Sequence, residues 1–204
     1  YKRGNLIFSD IARLKKIMKN SSMPVQLVFS GKAHPNDEGG KSLIAEIISF
    51  TRDEDLKNKV IFLDNYDINV ARHLVEGCDL WLNNPRRPLE ASGTSGMKVI
   101  ANGGLNFSIL DGWWDEGYSP ELGWKIESII DESISLETRD ALEAKSLYDT
   151  LENEIIPLYY QRDKNGIPVQ WVKKIKSSIR NLTGFFNTGR MVKEYCDKFY
   201  MKVK

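Results

Sequence analysis

Asp79-Leu-Trp-Leu82, a loop rich in Pro and Arg, Gly93-Thr94-Ser95-Gly96 and then Leu105-Asn-Phe-Ser-Ile-Leu110 form the stretch that decides the fold. Two short runs, apolar on both faces, flank a glycine-rich turn and a helix predicted from about Met97 to Asn102. Strands apolar on both faces belong to parallel sheets, and parallel neighbours need a crossover between them. The same unit recurs upstream. Val60-Ile-Phe-Leu63 is a β-branched run, Ile68 to Glu76 reads as a helix, and Val25 to Phe29 has strand length before Ser30-Gly31. A Pro/Asn/Asp/Gly stretch from His34 to Gly40 leads into a helix near Lys41 to Thr51. Between Leu6 and Lys19 the apolar residues Leu6, Ile7, Ile11, Leu14, Ile17 and Met18 fall at helical spacing, and Pro24 ends that segment. The alternation predicts an α/β fold with a doubly wound parallel sheet. Its ligand site belongs at the C-terminal ends of the strands.

Beyond Trp124 the character changes. Leu136 to Ile155, Val169 to Leu182 and Met191 to Val203 read as three helices. Trp171, Val172, Ile175, Ile179 and Leu182 line one stripe, and Met191, Val192, Tyr195, Phe199 and Tyr200 another; both are expected to pack in the core. The expected organisation is an α/β core over residues 1–135 and a helical C-terminal segment over 136–204.

Composition narrows the function. The 29 Lys and Arg against 28 Asp and Glu leave a net charge of +1, which argues against a nucleic-acid binder relying on bulk charge. The longest strongly apolar run, Val60 to Leu63, is too short for a transmembrane helix. With 2 Cys and 2 His, neither a disulfide framework nor a zinc cluster is expected, so no metal site is assigned and a reducing cytoplasm is the expected compartment. The chain opens Tyr1-Lys2-Arg3-Gly4, without an initiator Met or a signal pattern, and reads as a piece of a longer protein.

Glu90-Ala-Ser-Gly-Thr-Ser-Gly-Met-Lys98 is the most informative chemical stretch. Small residues between strand and helix let backbone N–H groups converge at a helix N-terminus, an anion site whose usual guest is phosphate. A hydroxyl at Thr94 or Ser95 adds a donor, and Lys98 follows within a turn. The spacing is neither GxGxxG nor GxxxxGK[ST], so it names no nucleotide. A plain helix cap followed by an exposed lysine fits the same residues. Glu90 either meets sugar hydroxyls or caps the helix. Tyr1-Lys2-Arg3 reads alone as a solvated terminus, and neither His34 nor His73 has a partner suggesting a nucleophile–base pair. Asn83-Asn84-Pro85-Arg86-Arg87-Pro88 is a rigid polar loop at the expected active edge. Asp111-Gly112-Trp113-Trp114-Asp115-Glu116-Gly117-Tyr118 is an aromatic, acidic loop that suits sugar rings or simple packing.

These residues, taken together, resemble one family. The stretch Glu90 to Lys98 looks like the pyridoxal-phosphate segment of the α-glucan (glycogen, maltodextrin) phosphorylases. Val60-Ile-Phe-Leu-Asp-Asn-Tyr66, Asn83 to Leu89, Asn102-Gly-Gly-Leu105 and Leu110 to Tyr118 resemble the short bacterial and archaeal branch. Tyr1-Lys2-Arg3, Ile155-Ile-Pro-Leu-Tyr-Tyr160 and Arg190-Met-Val-Lys-Glu-Tyr195 extend the resemblance through nearly the whole chain.

The resemblance implies a Rossmann-like C-terminal lobe of a two-lobed GT-B glycosyltransferase, whose N-terminal lobe is missing here. It implies cleavage of α-1,4-glucan by inorganic phosphate, releasing glucose 1-phosphate with retained configuration. Lys98 is expected to hold pyridoxal phosphate as a Schiff base, with Gly93, Thr94 and Ser95 around the cofactor phosphate and Tyr66 packed nearby. That cofactor phosphate is expected to shuttle the proton. Glu90, Ala91, Ser92 and Gly93 are expected on the glucose hydroxyls with Tyr1 near them, and Lys2 on the substrate phosphate. Two departures stand out: Gly-Thr-Ser-Gly-Met-Lys replaces the Gly-Thr-Gly-Asn-Met-Lys of many longer members, and Asp67 stands where those often carry Arg. Arg86 or Arg87 is the candidate replacement cation. Two other readings remain: a nucleotide-sugar-dependent glucosyltransferase such as a glycogen synthase, in which Lys98 would be indifferent, and a non-catalytic glucan-binding lobe, whose affinity would survive its loss. The lobe alone is expected to be inactive, and a severed interface to favour self-association as a homo-oligomer.

Overall fold

In the computed structural model, which describes residues 1–131 and 133–202, side-chain caps set where most of the longer helices begin. Asp10, Asp37 and Asp67 precede α1 (Ile11–Met18), α2 (Glu38–Thr51) and α3 (Ile68–Gly77). Their carboxylates accept from the backbone N–H of Arg13, Gly40 and Val70 at 2.8 to 2.9 Å. Each bond satisfies a donor that a helix start leaves without a partner. Asp10 also divides the single helix expected from Leu6 to Lys19. Leu6–Phe8 form a buried 3-10 turn, and α1 starts afresh behind the Asp10 cap. Asp67 gains a local role too, since it caps α3.

The apolar runs become β1 (Leu27–Ser30), β2 (Val60–Leu63), β3 (Leu80–Asn83) and β4 (Leu105–Ile109). The helix before β4 is α4 (Thr94–Ala101) and the short helix after it is α5 (Trp113–Gly117). A further strand, β5 (Gly123–Ile126), extends the series past Leu110, the last residue of the apolar runs in the sequence. Its four residues include Lys125 and carry too little pattern to be read alone. Pairing with β4, from Asn106↔Gly123 to Ile109↔Ile126, is what makes it a strand.

All pairings are parallel, as expected, but they form two ladders, β2–β1 and β3–β4–β5. Among the described residues no ladder joins β1 to β3, so the sheet is not continuous. The consequence shows in burial. Every residue of β4, paired on both sides, is buried; β3 is half-buried, and Val28 of β1 is 46% exposed.

A single core nevertheless serves both ladders. Val60, Leu105, Phe107 and Ile109 pack with Ala144, Leu147 and Tyr148 of α6 (Leu136–Thr150). Burying side chains of this size stabilises by roughly 1.5–3 kcal/mol each. The Tyr148 hydroxyl donates to the carbonyls of Ile7 and Asp10, tying α6 to the first turn of the chain. A wide turn at Leu151–Ile155 leads into α7 (Ile156–Tyr160). Next comes α8 (Val169–Ser178), whose Trp171 enters the same core. The last helix, α9 (Thr188–Lys198), differs from expectation. Its stripe, Met191, Val192, Tyr195, Phe199 and Tyr200, is exposed rather than core. Val203, at the end of the expected helix, lies outside the described residues.

Open strand edges have a kinetic signature. Amides of β1 and β3 should exchange with deuterium faster than those of β4, which has a neighbour on each side. Exchange followed by peptide mass spectrometry checks this, and equal protection across the three strands would contradict it.

Candidate functional site

The N-terminus of α4 breaks the capping rule that α1, α2, α3, α6 and α9 follow. Ser135 and Asn187 cap the last two of these. Gly93 occupies the cap position of α4 in the left-handed region, φ 84°, and no side chain bonds the first turn. The first N–H groups of α4 are left open at the positive end of the helix dipole, beside the exposed hydroxyls of Thr94 and Ser95. The helix begins three residues before the expected Met97, because a Gly-Thr-Ser-Gly turn carries no apolar period. Close packing requires small residues here. A Cβ at Gly96 would come within 2.8 Å of Trp113 and 2.9 Å of Asn106 Oδ1. Asn106 is 1% exposed, and neither atom of its amide finds a partner among the described residues. One turn further, exposed Lys98 brings its Nζ to 3.1 Å from Thr94 Oγ1. Open N–H groups, two hydroxyls and an accessible amine on one short stretch suit a phosphate-bearing group that an amine can also reach.

Glu90 lies against this turn, and a Cβ at Gly93 would strike its carboxylate. Its side chain is almost fully buried. Oε2 pairs with Lys2 Nζ, and Oε1 accepts from Asn83 Nδ2 at 3.3 Å. The Glu90 N–H donates to Asp111 Oδ2 at 2.9 Å, and the Trp113 N–H donates to the Ser92 carbonyl at 2.9 Å. The turn that follows β4 thereby holds the turn that precedes α4.

Lys2 reaches Glu90 because its neighbour is clamped. Arg3, 8% exposed and left-handed at φ 46°, donates from Nε to the Asn84 carbonyl at 3.1 Å and from Nη2 to the Pro85 carbonyl at 2.9 Å. Its Nη1 lies 2.7 Å from Asp140 Oδ1 and 2.6 Å from Glu143 Oε2, both on α6. Arg86 holds Asp140 with two bonds of 2.8 Å, and its backbone N–H donates to the Tyr1 carbonyl at 2.8 Å. Burial works to raise the Asp140 carboxyl, but the hydrogen bonds from Arg86 and Arg3 outweigh it and hold the group below the usual carboxylate range.

The fold therefore gathers Tyr1, Lys2, Glu90, Ala91, Ser92, Gly93, Thr94, Ser95 and Lys98 along the exit of β3 and the start of α4. Tyr66 stands apart, 39% exposed after β2 in the other ladder, and no hydrogen bond among the described residues ties it to α4. One expectation is corrected, and of two readings left open one holds. Arg86 is committed to Asp140 and Arg87 to Asp115 at 2.9 Å, so neither is a free cation for phosphate. Trp113 and Trp114 are buried with Leu122 and Leu182 rather than offered to sugar rings, and Trp114 Nε1 donates to the Trp124 carbonyl at 3.0 Å. Asn83, Asp111, Asp140 and Glu143 escaped sequence reasoning as site residues. The first two lie in polar or acidic loops of the sequence, whereas the α6 carboxylates carry no local signal.

Residues 1–114 match the family model described as carbohydrate phosphorylase. Over 203 residues the chain is 48% identical to a glycogen phosphorylase of Aquifex aeolicus, an alignment spanning 100% of this chain and 29% of that protein. It is 50% identical over 204 residues to a maltodextrin phosphorylase of Thermococcus litoralis, spanning 99% of this chain and 24% of the other. The liver form of glycogen phosphorylase from Homo sapiens is 33% identical over 106 residues, 49% of this chain and 12% of that one. The chain thus spans less than a third of the length of these curated relatives.

The clamp should be measurable as stability. Arg3→Ala should cost about 3–5 kcal/mol, since it strands the buried Glu143 carboxylate. Asp140→Asn, at a partly exposed position, should cost about 1–2 kcal/mol at pH 7. Because its folded pKa is depressed, Asp140 contributes stability above the unfolded carboxyl value, near pH 4, and loses it as pH falls through the folded value. Denaturant unfolding at pH 7 and in acid should therefore show Asp140→Asn and the unsubstituted chain converging in acid. A difference independent of pH would contradict the assignment.

Proposed function

The chain belongs to the carbohydrate phosphorylase family, and from that membership we propose that it is most of the C-terminal, Rossmann-like lobe of a GT-B α-glucan phosphorylase. The reaction is phosphorolysis of α-1,4-glucan. A phosphate oxygen bonds to the anomeric carbon as the glycosidic bond breaks, and the leaving glucan oxygen takes up the proton that the incoming hydrogen phosphate gives up. Glucose 1-phosphate is released with its configuration retained.

One observation carries the reading: the uncapped N-terminus of α4 stands between a buried carboxylate, Glu90, and an accessible amine, Lys98. The residues fit pyridoxal phosphate, with Lys98 as its Schiff-base partner and Gly93, Thr94 and Ser95 as donors to its phosphate. Tyr66 is assigned to the cofactor's surroundings by resemblance alone. When bound, the cofactor supplies a phosphate group that serves as a proton donor and acceptor.

The chain's own residues do the rest. Two unit charges 4 Å apart interact by about 4 kcal/mol near a protein surface, and dianions by several times that. Bringing two phosphates together therefore needs fixed positive charge, which Lys2 and the α4 dipole provide. Glu90 accepts from glucose hydroxyls, and the Ala91-Ser92-Gly93 backbone with Tyr1 fixes the ring. Arg3 and Asp140 hold Tyr1 and Lys2 in place. The partners are glucan, inorganic phosphate and the N-terminal lobe of the same longer polypeptide, and the free thiols of Cys78 and Cys196 suit a cytoplasmic setting.

Borohydride reduction after incubation with pyridoxal phosphate, followed by peptide mass mapping, tests the cofactor site. A pyridoxyl adduct confined to Lys98 is expected in the longer polypeptide, together with glucose 1-phosphate release from maltodextrin that requires inorganic phosphate. Lys98→Ala should abolish both. An unlabelled Lys98 in that polypeptide would overturn the assignment.

A further inference from the structure

Lys2 and Glu90 pair with one another, yet the proposed reaction asks each to bind a different ligand. We infer that anion and sugar bind as a coupled pair through an exchange of partners: sugar hydroxyls take over Glu90, and Lys2 is thereby released to the anion. The inference rests on the proposed function and adds a linkage between its two ligands.

The reason is scarcity of countercharge. The Glu90 side chain is 2% exposed, and its other side-chain partner is the neutral amide of Asn83 at 3.3 Å. A buried carboxylate stripped of its cation carries a large desolvation penalty unless new donors arrive. The arginines of the adjoining loop do not reach Glu90: Arg86 pairs with Asp140 and Arg87 with Asp115. Lys2 itself sits at the boundary, its side chain 54% exposed, so its ammonium can turn toward solvent. An anion that recruits Lys2 alone leaves Glu90 stranded. A sugar bound at Glu90 supplies hydroxyl donors and removes that cost. Each ligand therefore raises the affinity for the other, and linkage requires the two enhancements to be equal.

Calorimetric titration of inorganic phosphate into the longer, cofactor-loaded polypeptide, with and without saturating glucose, tests this. Glucose and phosphate together hold no glycosidic bond to cleave, so the readout is binding rather than turnover. Glucose should tighten phosphate binding by about tenfold, and phosphate should tighten glucose binding by the same factor. Glu90→Gln frees Lys2 without an anion competitor. It should bind phosphate more tightly than the unsubstituted protein when glucose is absent, and glucose should no longer change that affinity. Phosphate binding that is indifferent to glucose in the unsubstituted protein overturns the inference and leaves the proposed function standing. Absence of phosphate binding in every form overturns both.

Discussion

A guanidinium taken out of water must find acceptors for its donors, and Arg3 finds them on two distant pieces of the fold. The loop leaving β3 supplies the carbonyls of Asn84 and Pro85, and α6 supplies Asp140 and Glu143. The two pieces are thereby fixed to each other as well as to the first residues of the chain. Tyr1 and Lys2, which alone would be a solvated end, become ordered parts of the candidate site. Replacing such a cluster by apolar groups can leave stability unchanged, so its value here is better sought in position than in net energy.

The site uses a second kind of restraint at α4. At α1, α2, α3, α6 and α9 a carboxylate, hydroxyl or amide accepts from one N–H of the helix start. At α4 a left-handed glycine replaces the capping side chain, and the donors stay open. Capping and ligand binding draw on the same N–H groups, and at α4 the glycine turn leaves them beside the hydroxyls of Thr94 and Ser95. The neighbouring carboxylate, Glu90, is instead held by Lys2, Asn83 and the turn behind β4.

Much of the architecture was legible in the sequence because strands and helices write local periods. Val60–Leu63, Leu80–Asn83 and Leu105–Ile109 fall within a residue of the runs that announced them. The misreadings have a common physical origin. β5 becomes a strand through its pairing with β4 rather than through its own pattern. For Trp113 and Trp114 the sequence allowed sugar contact or packing equally, and Leu122, Leu182 and Phe186 close over them. The α9 stripe has core periodicity without a core to face. A period states which residues share a face and leaves open what covers it.

By itself the sequence determined the α/β class, the parallel pairing, the glycine-rich turn with Lys98 and the family resemblance. Each depends on residues near one another in the chain. Tertiary structure alone decided that the strands form two ladders, that Arg86 and Arg87 are already neutralised, and that Lys2 meets Glu90. These outcomes join residues far apart in sequence through charge and backbone hydrogen bonding. A charge shows no preference for a partner until folding removes water and limits which opposite charge lies within reach.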